Sequence, residues 1–325
     1  MPAVMASAPG KIILFGEHAV VYGQPAIAVP ITQVKAQVVI RAEPRFPDGQ
    51  VLIHAPDINL QATLSDLPED HPLARAIRGV LAELGVNRAP ACSVRIRSTI
   101  AVAAGMGSGA AVSVALIRAL SKFLGHPLSN EQVSAIAYEV EKLHHGTPSG
   151  IDNTVITYAR PVYFVRGQPI QILRLPRPLH LVIADTGIAS STAAVVGDVR
   201  RRWSDEPARY EALFDAIGAI SQAARQAIEK GYPEHLGELM NENHSLLAQM
   251  GVSCPELDAL AQAARRSGAL GAKLSGAGRG GNMIALAAEP EAERIAQALM
   301  DNGAARVLIS TVREPRSAAH TGQTG

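Results

Sequence analysis

The sequence predicts an α+β chain of two domains, and three observations predict it. Strand-like and helical patterns are mixed through the first 175 residues. Four helical patterns then follow one another between Ala193 and Ser267. A pair of short apolar strands flanking a glycine loop, a helix and a last strand close the chain. Pro176 and Pro178 cluster at Arg174 to Pro178, which places the boundary there. The expected units are residues 1–175 and 176–313, followed by a polar, disordered tail over 314–325.

Lys11 to Phe15 and Lys35 to Ala42 are rich in strand formers. Pro72 to Leu84 reads as a helix, because Leu73, Ile77, Val80, Leu81 and Leu84 recur at three and four and Gly85 stands where a helix cap is wanted. Ser93 to Ile100 alternates as a strand does. Ala110 to Leu124 is helical and stops at Gly125, and Ser129 to Leu143 is helical with Ser129 and Gln132 at capping-box spacing. The β-branched stretch Asn153 to Val165 reads as a strand, with Pro161 marking an edge or bend, and Leu179 to Ala184 as a short buried strand. Helices are expected over Ala193 to Arg202, Pro207 to Lys230, Pro233 to Met250 and Pro255 to Ser267, three of them opening on a first-turn proline. Gly271 to Leu274 and Met283 to Ala287 are strands, Glu291 to Asp301 a helix and Ala305 to Thr311 a strand.

Composition narrows the function classes. The 325 residues are 47% hydrophobic and 18% charged, enough for a sizeable core. Thirty basic residues balance 29 acidic ones, and with no long basic run nothing asks for nucleic acid. The densest basic spot, Arg200 to Arg202, reads as a solvated helix face or an attractor of anions. Cys92 and Cys254 lack ligand-spaced neighbours and read as free thiols. Ile100 to Ile117 runs without a charge, but Gly105, Gly107 and Gly109 break it, so strand, loop and helix is expected rather than a membrane span. No targeting segment is recognisable, which points to the cytoplasm.

Four segments carry chemistry. The first, Pro9-Gly10-Lys11-Ile12-Ile13-Leu14-Phe15-Gly16-Glu17-His18, opens an apolar strand with a lysine; such a lysine either meets an anion or snorkels to water. The second, Gly105-Met106-Gly107-Ser108-Gly109-Ala110-Ala111, leads into a helix, an arrangement whose backbone amides and helix N-terminus suit phosphate, although no Walker lysine closes it. The third, Lys273-Leu274-Ser275-Gly276-Ala277-Gly278-Arg279-Gly280-Gly281, is a second glycine loop or a plain turn. In the fourth, Glu141 and Asp152 flank a Pro148-Ser149-Gly150 turn that can bring both carboxylates to one cleft. Two carboxylates and two phosphate loops suit phosphoryl transfer, one acid holding Mg²⁺ and the other handling the acceptor proton; singly, Glu141 could be a surface residue and Asp152 a turn cap.

These four segments, in this order, resemble the motifs of the GHMP kinase superfamily, over Ala8 to about Val312. The opening segment through Gly23 is similar to that of its mevalonate kinase family. The resemblance implies a GHMP kinase fold, with an N-terminal mixed domain carrying the phosphate loop and a ferredoxin-like C-terminal domain. It implies ATP and Mg²⁺ as cofactors, mevalonate as the small-molecule substrate, and admits a homodimer. It implies Asp152 as catalytic base with Lys11 beside it and the acceptor hydroxyl, favouring negative charge on either. Glu17, His18, Ser191 and Thr192 would contact substrate. Ala104, Gly105, Met106, Gly107, Ser108, Gly109, Ala110, Gly276, Ala277 and Gly278 would hold ATP, and Glu141 and Ser108 the metal. Two departures stand out. Gly109 replaces the serine that commonly binds Mg²⁺ in the family, leaving Ser108 or water to substitute. Arg279 replaces a frequent glycine and could reach a phosphate or face solvent. A related superfamily kinase and a non-catalytic ligand sensor are the competing readings.

Overall fold

A computed structural model describes residues 3–101, 105–145 and 148–314. Ala104, expected in the phosphate loop, and the tail from residue 315 lie outside the described residues. Glu314 is described, and its Oε1 accepts a hydrogen bond from the Leu175 amide at 3.1 Å.

The first sheet is built on a long antiparallel pair, β1 (Val4–Phe15) and β2 (Ala26–Ala42), in which Lys11 stands opposite Pro30. Register shifts after Pro9 and after Ile13 bracket the segment that carries Lys11. Along the rest of the sheet the order is β4 (Leu60–Thr63), β3 (Val51–Ala55), β5 (Cys92–Ser98), β2, β6 (Val162–Phe164) and β7 (Gln171–Ile172). Only β3 and β5 run parallel, so the sheet is mixed. The β3–β4 pair was not anticipated from the sequence, although Val51, Ile53 and Ala55 are buried and alternate with half-buried neighbours.

Four helices accompany this sheet: α1 (Pro72–Glu83), α2 (Ser108–Phe123), α3 (Asn130–His145) and α4 (Ile151–Tyr158). The apolar residues of α2 from Ala110 to Leu120, Val112 excepted, are buried, and the helix packs on β1 and β2. The capping box forms as spaced: the Ser129 amide donates to Gln132 Oε1 at 3.0 Å and the Gln132 amide to Ser129 Oγ at 3.3 Å.

The strand expected over Asn153 to Val165 is corrected to helix α4 followed by β6. Its β-branched residues favour strand locally, but tertiary packing overrides that preference. Gly150, at φ 94°, reverses the chain; Thr154 Oγ1 then donates back to Gly150 O at 2.7 Å, and Asn153 Nδ2 donates to Ser134 Oγ at 2.9 Å. Ile151, Val155 and Ile156 are buried, so burial offsets the weak helix propensity.

The second sheet is four-stranded and wholly antiparallel, ordered β11 (Arg306–Val312), β8 (Leu179–Asp185), β10 (Asn282–Ala287) and β9 (Gly271–Ser275). It is dressed by α5 (Thr192–Asp205), α6 (Pro207–Lys230), α7 (Pro233–Gln249), α8 (Pro255–Arg266) and α9 (Ala292–Asp301). Prolines do open α6, α7 and α8. Among the described residues no helix is long and apolar enough to cross a membrane.

Backbone lies against backbone where α7 crosses the start of β9. A Cβ on Gly237 would stand 2.2 Å from Leu270 O, and that oxygen cannot retreat without moving β9. Gly237→Ala is therefore expected to destabilise the protein by about 2 kcal/mol or more, read as a lowered urea midpoint at unchanged slope.

Candidate active site

The two sheets meet along a cleft of about 1030 Å³. Lys11 reaches it from β1, and its side chain is 5% exposed. A buried ammonium needs an anion, and its Nζ lies 3.1 Å from Asp152 Oδ1. Asp152 occupies the first turn of α4, where a carboxylate complements the helix dipole. Glu141, from α3, is 4% exposed and faces the same cleft. Burial, reinforced by the Asp152 carboxylate, pushes Glu141 up to about 7, with the Lys11 ammonium opposing.

The first glycine loop is fitted around Lys11. The Lys11 amide donates to Met106 O at 3.0 Å, which fixes the loop to β1. Gly107 caps α2 at φ 72°, and a Cβ there would stand 2.8 Å from Ile156 Cδ1 and 3.0 Å from Lys11 Cγ. Gly109 brings backbone close to the acid on α3: a Cβ added to it would lie 3.7 Å from Glu141 Oε1. Gly105, Gly107, Ser108, Gly109 and Ala110 all line the cleft. Met106 does not line it; the side chain packs into the core and the carbonyl serves Lys11.

Glu17 and His18 follow β1, and Ser191 and Thr192 open α5; all four line the cleft. Ser191 Oγ also caps α5 by accepting from the Ala194 amide at 3.3 Å. His18 holds φ 60°, ψ −53°, rarely adopted outside glycine, and its Nε2–H donates to Ala277 O at 2.9 Å. Burial pushes its imidazole down to about 4. Glu17 is 1% exposed, and one of its oxygens is ion-paired with Lys273 of β9.

In the second loop, Gly276 and Ala277 line the cleft, whereas Gly278 turns away. Its backbone packs on Val252 O, and its own carbonyl accepts from Ser190 Oγ at 2.6 Å. Arg279 does not line the cleft, and its side chain is 34% exposed. Its guanidinium is ion-paired with Asp198 of α5 and donates to Gly251 O at 3.1 Å, so it braces the loop from behind. Hydrogen bonds from Arg279 and Arg201 hold Asp198 at about 2. Sequence reasoning missed Lys273 and Ser190 as parts of the site. Lys273 carries the signal that picked out Lys11, a lysine inside an apolar strand.

Two outcomes follow from this geometry. Gly107→Ala should leave the circular dichroism spectrum native, yet lower turnover roughly 10- to 100-fold by displacing Lys11. Because His18 drops from 6.5 to about 4 on folding, the unfolded chain binds a proton in that window that the folded chain refuses. Stability is complete above that range and falls as pH drops through it, by up to roughly 3 kcal/mol. Urea unfolding of His18→Asn from pH 7 to 4 should lack that component of the slope.

Comparison with known proteins agrees with this architecture. The family model for the GHMP kinases N-terminal domain matches residues 72–160, and that for the GHMP kinases C-terminal domain matches residues 224–305. The mevalonate kinase of Pyrococcus horikoshii is 38% identical over 332 residues, covering 96% of each chain. That of Aeropyrum pernix is 35% identical, covering 96% of this chain and 97% of its own. Among solved structures, L. major mevalonate kinase in complex with R-mevalonate superposes with a TM-score of 0.82 at 34% identity, covering 98% of this chain and 97% of its own. The chain belongs to the mevalonate kinase family of the GHMP kinases.

Proposed function

We propose that this protein transfers the γ-phosphoryl group of ATP to the C5 hydroxyl of (R)-mevalonate, giving 5-phosphomevalonate and ADP in the mevalonate route to isoprenoids. The observation that carries the assignment is the buried Lys11–Asp152 couple, set beside the first glycine loop in a cleft that Glu17, His18, Ser191 and Thr192 also line. Asp152 accepts the C5 hydroxyl proton as the new oxygen–phosphorus bond forms and the bond to the ADP oxygen breaks. Lys11 stabilises negative charge on the acceptor oxygen and the transferring group. The amides of Gly105 to Ala110, with Gly276 and Ala277 opposite, hold the phosphates, so most of the acceleration comes from positioning and charge neutralisation.

Mg²⁺ fits this donor set. Glu141 and Ser108 offer hard oxygen donors, and a buried carboxylate pushed up to about 7 is one that a divalent cation would restore to its ionised form. Among the described residues no three His, Cys, Asp or Glu side chains gather as a cation cage. Glu141 and Ser108 would therefore be the protein ligands, with phosphate oxygens and water completing the shell, as Mg²⁺ prefers. Bound there, the ion neutralises phosphate charge. A cytoplasmic location goes with this reading, and the free thiols of Cys92 and Cys254 suit a reducing compartment.

Asp152→Asn keeps the size of the side chain and removes its basicity. It is expected to lower kcat for mevalonate by roughly 10²- to 10⁴-fold with little change in either KM. A kcat near that of the wild type would remove Asp152 from the role of base.

A further inference from the structure

Lys273 is fully buried in β9, at 0% exposure. Its ammonium is ion-paired with Glu17 and donates to Leu274 O at 2.7 Å. Glu17 is almost equally buried, and its Oε2 has no hydrogen-bond partner among the described residues. A pair this dry is poorly explained by stability alone, because an apolar pair of equal volume serves stability as well or better.

The pair belongs to a row of cross-links. Ser275 Oγ donates to Ile13 O at 2.8 Å, and His18 Nε2 donates to Ala277 O at 2.9 Å. All three links join residues 13–18, at the end of the strand bearing Lys11, to residues 273–277, at the entry of the second glycine loop. That loop comes close to the first: a Cβ on Gly276 would stand 3.9 Å from Gly105 O. Glu17 lines the cleft and Lys273 does not, so whatever Lys273 does for the reaction passes through Glu17.

We propose that Lys273 is a positioning residue for phosphoryl transfer: through Glu17 it latches the second glycine loop to the strand that carries Lys11, fixing the spacing of the two walls that hold the transferring group. The proposal rests on the kinase reading above. Glu17 lines the cleft and, by the same link, holds the second glycine loop.

The test compares the full-length wild type with Lys273→Met, Lys273→Arg and Ser275→Ala in steady-state turnover of ATP, Mg²⁺ and mevalonate, well below each melting temperature. Misplacing a phosphate wall by about 1 Å costs on the order of 100-fold, so Lys273→Met should lose roughly that in kcat, with KM for ATP raised about threefold or more and KM for mevalonate little changed. Lys273→Arg, which keeps the charge, should recover to within about tenfold of wild type. A Lys273→Met enzyme with lowered melting temperature but wild-type kcat and KM would overturn the proposal, since the lysine would then serve stability only. If Lys273→Met does not fold, Ser275→Ala, which removes the neighbouring link of the same row, decides: slower kcat with raised KM for ATP supports the latch, and wild-type kinetics overturns it. Failure of the wild type itself to turn over mevalonate would instead remove the kinase reading and the latch with it.

Discussion

The site depends on one costly fact: an ammonium group is buried where β1 borders the cleft. Burying Lys11 without an anion costs several kcal/mol, so the fold around it is organised to supply Asp152 at 3.1 Å. That requirement explains the sharp reversal at Gly150, which aims the first turn of α4 back at β1. It also explains the glycine at position 107, where Lys11 Cγ and Ile156 Cδ1 occupy the space of a side chain. Even the loop's position follows, because Met106 O is held by the Lys11 amide. The loop that would hold phosphates and the base that would take a proton are thus referenced to the same residue.

The second wall of the cleft is held differently. Four glycines and Arg279 adopt positive φ between Gly276 and Gly281, a conformation that needs outside support. The support comes from both sides: His18 and the Lys273–Glu17 pair tie the loop to the first sheet, and Arg279, through Asp198 and Gly251 O, ties it to α5 and the end of α7. Asp198, held at about 2, keeps its charge throughout the neutral range, so this brace is permanent. The protein's own contacts hold the loop's shape, which favours a preorganised site.

Much of this was legible in the sequence, for reasons that can be named. Helix periodicity and caps are local, so α1, the α3 capping box and the three proline-led helices could be read directly. Glycine loops and a lysine inside an apolar strand are local signals too, and they marked the cleft. What failed was non-local. Helix α4 looked like a strand because its β-branched residues are chosen for packing against β1 and β2, which no window of sequence displays. Arg279 could not be placed, because its partner Asp198 lies 81 residues away in sequence. Lys273 was quoted inside a motif yet given no role, since its partner Glu17 is 256 residues distant and pairing across sheets is invisible in a linear pattern.

Phosphoryl transfer to mevalonate in the Lys11–Asp152 cleft has a direct readout. Initial rates of ADP release with ATP and Mg²⁺ against mevalonate, 5-phosphomevalonate, galactose and homoserine test it most directly. Turnover on mevalonate alone is expected. Turnover on a different acceptor, or none on any while ATP still binds by calorimetry, would contradict it.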